Sequence, residues 1–374
     1  TLDIVYRRTD EIAGFAEELD DELTEGQFDL ASLAPSADDS DAPVVKLLQS
    51  LFQDAVQVRA SDIHIEPDEN VLRIRQRIDG VLQEQIVKER RIAPALVLRL
   101  KLMSGLDISE KRLPQDGRFS LKVKERRIDV RLSTMPIEYG ESVVMRLLDQ
   151  TDGAADLDQV GMYPAMLQQF RKLIHMPHGL ILVTGPTGSG KTTTLYGALQ
   201  ELNEIGKKII TVEDPVEYRL SRVNQVQINP KIGLSFAKIL RAALRQDPDI
   251  LLVGEIRDQE TAEIALRAAM TGHMVLSTLH TNDAVSSAMR LVDMGAEGFL
   301  AATAIRAVLA QRLVRRLCDN CCVDYQPSRQ EASWIRHTLG SEVPEQYVLK
   351  QASGCHRCNN TGYRGRIGGF ELLV

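Results

Sequence analysis

The sequence predicts an α/β protein in which a parallel sheet carries helices on both faces, with a smaller α+β domain before it and a cysteine-bearing appendage after it. Three observations carry this. Beyond residue 160, apolar runs at 180–183, 209–212, 250–253 and between His273 and His280 alternate with helix-like segments, the pattern of strands buried on both sides. Earlier, Leu72, Ile74 and Ile78 alternate with Arg73, Arg75 and Arg77, and Phe119, Leu121 and Val123, then Ile128, Val130 and Leu132, repeat the two-residue period of a sheet with one wet face. Near the end stand two Cys-x-x-Cys pairs, Cys318/Cys321 and Cys355/Cys358.

A chain of 374 residues accommodates two folded domains and small appendages. Its net charge of -7 argues against a life on nucleic acid, which asks for a basic footprint. No apolar run approaches the length that crosses a bilayer, and the charged opening TLDIVYRRTDEIAGFAEELDD lacks the plan of a signal peptide. The natural chain is expected to begin before Thr1 and to continue past Val374, where GGFELLV stops on an apolar run. Residues 1–40 read as an acidic leader and linker ending in PSADDSDAP, and 41–150 as the small domain, opening with a helix over 44–58 whose apolar positions fall at helical spacing. An interdomain linker at 151–159 then leads to the α/β domain at 160–374, of which 313–374 is the cysteine subdomain.

The motif with the most chemistry is Gly185-Pro186-Thr187-Gly188-Ser189-Gly190-Lys191-Thr192, followed by Thr193, between a strand-like run and a helix-like one. In that setting glycines let backbone amides turn toward phosphates, the lysine reaches the outer phosphates, and the Thr192 hydroxyl is placed to ligate magnesium. The run at 250–253 ends in Gly254-Glu255, with glycine where many P-loop enzymes carry an aspartate. Glu255 then becomes the acid that orients or deprotonates water, the plainer reading being a helix cap. The run at 209–212 ends in Glu213 and Asp214, adjacent acids suited to hydrated magnesium or else ordinary surface carboxylates. His273 and His280 flank a third strand as candidate phosphate sensors or plain hydrogen-bonding histidines. Arg118 and Arg131 point away from the apolar face of the small sheet, which by itself reads as a solvated surface.

Together, GPTGSGKT at 185–192, EDPVEY at 213–218, LLVGEIRD at 251–258 and TGHMVLSTLHTNDA at 271–284 resemble the Walker A, aspartate box, Walker B and histidine box of the type II secretion and type IV pilus assembly ATPases. SDIHIEP at 61–67, RIDG at 77–80 and LPQDGR at 113–118 extend the resemblance to that family's second N-terminal domain. The resemblance implies a PAS-like domain joined to a RecA-like P-loop ATPase domain, a homo-hexameric ring, and ATP with Mg2+. It implies that Arg118 and Arg131 reach the phosphates after closure, and that Arg241 and Arg245 lie near a subunit boundary. It also implies a structural Zn2+ held by Cys318, Cys321, Cys355 and Cys358, with Cys322 beside them.

The run RIDVRLSTMPIEYGESVVMRLLDQ is most similar to extension ATPases of MSHA-type pili, with type II secretion ATPases close behind. Expected partners are an inner-membrane platform protein and acidic phospholipid, with the protein cytoplasmic and peripheral at the inner membrane. Competing readings are a pilus-retraction ATPase and a RecA-like DNA translocase.

Overall fold

The computed structural model describes residues 7–25, 42–149, 156–340 and 347–374. The expected linkers therefore lie largely outside the described residues. The chain forms two compact units, Thr1–Thr151 with Arg316–Gly365, and Asp152–Arg315 with Arg366–Val374.

In the first unit, helices α1 (Thr9–Glu25) and α2 (Pro43–Gln57) precede strands β1 (Ala60–Pro67), β2 (Leu72–Ile78) and β3 (Val81–Val87); helix α3 (Ala93–Met103) precedes β4 (Gln115–Val123), β5 (Arg126–Ile137) and β6 (Gly140–Asp149). The six strands form one sheet in the order β3-β2-β1-β6-β5-β4, antiparallel in every pair. Its apolar face packs on the helices, and Leu47, Leu51, Ile63, Ile65 and Leu72 are fully buried. Each such side chain contributes about 1.5–3 kcal/mol relative to exposure.

The opening stretch differs from the expected leader. Ile12, Ala16 and Leu19 of α1 are fully buried in this core, and the buried carboxylate of Asp54 accepts from the Arg8 amide, Arg7 and Gln76, at 2.9 Å each. Those apolar positions recur at helical spacing, so one face of α1 has a partner despite its many acids.

In the second unit, α4 (Pro164–Ile174) is followed by β7 (Gly179–Thr184), α5 (Lys191–Leu202), β8 (Ile209–Glu213), β9 (Val223–Gln227), α6 (Phe236–Ala243), β10 (Ile250–Val253), α7 (Gln259–Met270), β11 (Met274–Leu279), α8 (Ala284–Asp293), α9 (Gly298–Ala304) and the long β12 (Ile305–Leu317). Then come β13 (Val323–Tyr325), α10 (Arg329–Leu339), β14 (Leu349–Gln351) and β15 (Tyr363–Leu373). The seven-stranded sheet runs β15-β12-β7-β11-β10-β8-β9, and the pairs from β12 to β9 are parallel. Every residue of β7, β8, β10 and β11 is buried, which is why these strands read as unbroken apolar runs. Two apolar clusters, one on each face, cover the sheet. The carboxyl ends of β7, β8, β10 and β11 share one edge, the edge at which such sheets hold ligands.

The cysteine segment at 316–365 belongs to the first unit rather than to the ATPase domain, where the sequence reading attached it. One physical tie is the Gly365 amide, which donates to the Asp79 carboxylate at 2.7 Å.

Candidate active site

The phosphate loop leaves β7 at Thr184. Gly185 has φ +137°, and a β-carbon there would lie 2.2 Å from the Gln311 carbonyl oxygen, so the loop and β12 approach as only glycine allows. Gly190, at φ +87°, is the left-handed residue from which α5 starts. The ammonium of Lys191 donates to the carbonyls of Gly185 at 2.9 Å and Pro186 at 3.0 Å, curling over its own loop. Burial pushes the Lys191 pKa down, while the charge of Glu255 opposes that shift. Thr192 and Thr193 are exposed on the first turn of α5, and the buried Ser189 hydroxyl has no hydrogen-bond partner. Open amides at a helix start, a lysine and an orphaned hydroxyl fit a bound polyphosphate.

Gln311, which no local sequence signal singled out, holds this loop from beneath. Its side chain is 3% exposed, donates to the Ser189 carbonyl at 2.6 Å and accepts from the Thr194 hydroxyl at 2.8 Å.

The acids gather at the same edge. Glu255 follows β10; its carboxylate pairs with Arg257, and His280 Nε2, just past β11, lies 3.6 Å away. Arg257 also reaches the Asp214 carboxylate at 3.5 Å, at the end of β8. Hence Lys191, Asp214, Glu255 and His280 come from four neighbouring strand ends. Glu213 does not join them, because it is 3% exposed and its carboxylate is engaged by Tyr196, Thr211 and Gln225.

His273 is not brought to the loop either. It precedes β11 at the amino end of the sheet, where its carbonyl accepts from the Gly179 amide at 3.1 Å and its Nδ1 lies 3.0 Å from the Ala268 carbonyl. The six residues of β7 separate that end from the phosphate loop, roughly 20 Å at the usual strand rise. Arg241 and Arg245 are also outside the cluster. Arg241 pairs with Glu260 at 2.5 Å, Arg245 donates to the Arg241 carbonyl at 2.7 Å, and the segment leads into the amino end of β10.

In the first unit, Arg118 stands opposite Arg131, Arg131 opposite Arg146, Arg146 opposite Asp62, and Asp62 opposite Arg77. Residues so paired share one face, so a row of four arginines and one aspartate crosses five strands. Arg146 donates to Asp62 at 3.2 Å. It lies in a candidate anion row that the sequence reading traced only through Arg118 and Arg131; the missed signal is register, which links strands far apart in sequence.

The four paired cysteines form one cluster, with every sulfur within 4.8 Å of the others. Cys318 to Cys355 is 3.9 Å, Cys321 to Cys358 is 3.7 Å and Cys355 to Cys358 is 3.8 Å. Tetrahedral zinc with bonds of about 2.3 Å places its sulfurs about 3.8 Å apart, so this donor set fits zinc. The amides of Cys355 and Gly362 both donate to the Cys358 sulfur at 3.2 Å, and Asn320 donates to Cys355 at 3.4 Å, lowering that thiol to about 6.

A glycine-rich loop on a central parallel strand, opening a helix and faced by acids from neighbouring strand ends, defines a P-loop nucleotide-hydrolysing fold. Comparison narrows the class. The chain belongs to the Type II/IV secretion system protein family, whose pattern it matches over residues 37–374. It is 51% identical over 352 residues to the Type II secretion system ATPase E of Vibrio cholerae, covering 93% of this chain and 69% of that protein. It is 52% identical over 353 residues to the Type II secretion system protein E of Aeromonas hydrophila, covering 93% and 70%. Among solved structures, the pilus retraction motor PilT with bound ADP superposes with a TM-score of 0.58 at 28% identity, over 87% of this chain and 82% of that one. The ATPase DotB of Legionella pneumophila superposes with a TM-score of 0.62 at 22% identity, over 88% and 80%, a likeness of fold alone. The chain is an ATP-hydrolysing enzyme of this family.

Proposed function

We propose that this ATPase works as a hexamer on a platform at the inner membrane and powers assembly of a type II secretion pseudopilus or a related type IV pilus. The observation that carries the reading is the convergence of Lys191, Asp214, Glu255 and His280 at one sheet edge beside the phosphate loop. Bound magnesium and ATP supply the phosphoanhydride and its charge neutralisation. Within that frame Lys191 would release its two loop carbonyls to take phosphate oxygens, and the Thr192 hydroxyl and Asp214 would be the groups that hold the magnesium. Glu255 exchanges Arg257 for a water whose proton it accepts at its carboxylate, while His280 senses the outermost phosphate. Arg118 and Arg131 answer the phosphates from the small, PAS-like domain, and Arg241 and Arg245 lie toward a neighbouring subunit. Differential contact of those arginines with ATP and ADP is what a mechanical cycle needs. The four cysteines hold a structural zinc.

Identities of 51% and 52% to type II secretion proteins support a secretion machine over the MSHA-type pilus suggested by the run at 126–149. A cytoplasmic location at the membrane, with acidic phospholipid nearby, accords with that machine; among the described residues no helix is long and apolar enough to cross a bilayer. The test is Glu255→Gln: ATP binding stays within about threefold of the parent while turnover falls at least ~100-fold, the scale of losing a general base. Turnover that survives this change, or that single-stranded DNA strongly stimulates in the parent, counts against the reading.

A further inference from the structure

Glu213 is the last residue of β8 and the first acid of the pair at its end, yet its carboxylate is spoken for by three side chains. One oxygen accepts the Tyr196 hydroxyl; the other accepts from Thr211 and, at 3.2 Å, from the Gln225 amide. A carboxylate so enclosed is poorly placed to take a proton from water. The Tyr196 oxygen is a node in its own right, reached by the Glu217 amide at 3.4 Å and the Gln225 amide at 3.5 Å. Gln225 continues the cluster, donating to the Tyr218 carbonyl at 2.9 Å and accepting from the Leu220 amide at 2.7 Å. The Tyr218 ring meets the Tyr196 ring edge-on at 6.1 Å. The whole segment 213–220 is thus wrapped around one phenol that is 1% exposed.

That phenol belongs to α5, the helix whose first residues are Lys191 and Thr192. We propose that Tyr196 is a positioning residue for ATP hydrolysis, locking the acidic segment 213–218 onto the phosphate-binding helix, with Glu213 as its buried anchor and Asp214 as the acid turned to the nucleotide. The backbone gives this a simple logic. Glu213 closes β8 and is buried, while Asp214, the next residue, lies in the bend beyond the strand, where it is exposed and meets Arg257 at 3.5 Å. Burial, and then the charge of Glu213, drive the phenol's ionisation well above its ordinary value, so the donor persists through the physiological range. Loosening the node shifts one magnesium-facing group relative to another, which costs rate rather than binding.

The inference rests on ATP hydrolysis by this site, and turnover of the unmutated chain, measured alongside, reports separately on that reading. Tyr196→Phe keeps the ring and removes the node. Expected is a roughly tenfold fall in kcat with ATP affinity, read by displacement of a fluorescent nucleotide, changed less than about threefold. Glu213→Gln is expected to give a similar fall, and the double variant little more than either alone, because both changes break one unit. Parental kcat in Tyr196→Phe overturns the proposal. So does a loss of rate matched by equal losses of ATP affinity or urea midpoint, which marks a merely structural role. So does a Glu213→Gln defect about 1000-fold beside a mild Tyr196→Phe defect, which places Glu213 at the reacting atoms. If Tyr196→Phe does not fold, Gln225→Met breaks the same cluster and is held to the same outcomes.

Discussion

A β-carbon at position 254 would lie 3.1 Å from the Val212 carbonyl oxygen and 3.3 Å from the Glu213 α-carbon, and the Gly254 amide donates to that carbonyl at 2.7 Å. This crowding between the ends of β8 and β10 disfavours a side chain such as aspartate at that position unless the neighbouring backbone shifts by a few tenths of an ångström. Gly254→Ala should cost about 1–3 kcal/mol through overpacking, read as a lower urea midpoint. It should also slow hydrolysis by moving Asp214 and Glu255 apart. The glycine was visible in the sequence as a departure from pattern; its cause was not, because the crowding comes from a strand forty residues earlier in the chain. The same limit hid Gln311, whose partner Thr194 is 117 residues away, and the enclosure of Glu213, whereas the phosphate loop was legible because its residues are contiguous.

Two helices on the nucleotide-bearing sheet, α7 and α8, start on aspartate side-chain caps. Asp258 accepts from the Thr261 amide at 2.8 Å to begin α7, and Asp283 from the Ser286 amide at 2.7 Å to begin α8, immediately after the histidine box. The backbone N–H of Ser286 holds the Asp283 carboxyl below its usual value of 3.8. A depressed folded-state pKa stabilises the fold above the unfolded value, and that contribution fades as pH falls through the folded one. Asp283→Asn, which still caps, should therefore match the parent near neutrality and lose less thermal stability on acidification below about pH 4. The strand runs at 180–183, 209–212 and 250–253 were legible because both faces of each are covered. Helix α1 was harder to read because its buried positions Ile12, Ala16 and Leu19 are interspersed with acids, and only docking against α2 reveals the face they form.

At the scale of the molecule, the described residues of the cysteine segment bury little core of their own. Helix α10 buries no residue, and Trp334 is 68% exposed. A zinc held by the four sulfurs, as proposed, would supply folding energy to such a module. Chelation should release about one zinc per chain and open 316–365 to protease, while nucleotide affinity in the other unit changes little; Cys355→Ser should reproduce both results without chelator.

The guanidinium row through Arg118, Arg131 and Arg146 has its own cost. Like charges set side by side on adjacent strands repel, and Asp62 interrupts them between Arg146 and Arg77. A sheet assembled against such repulsion gains cohesion from any polyanion it captures, so folding and ligand capture share one thermodynamic ledger. Neutralising the row would make the lobe sturdier and less responsive, a trade between robustness and the capacity to do work.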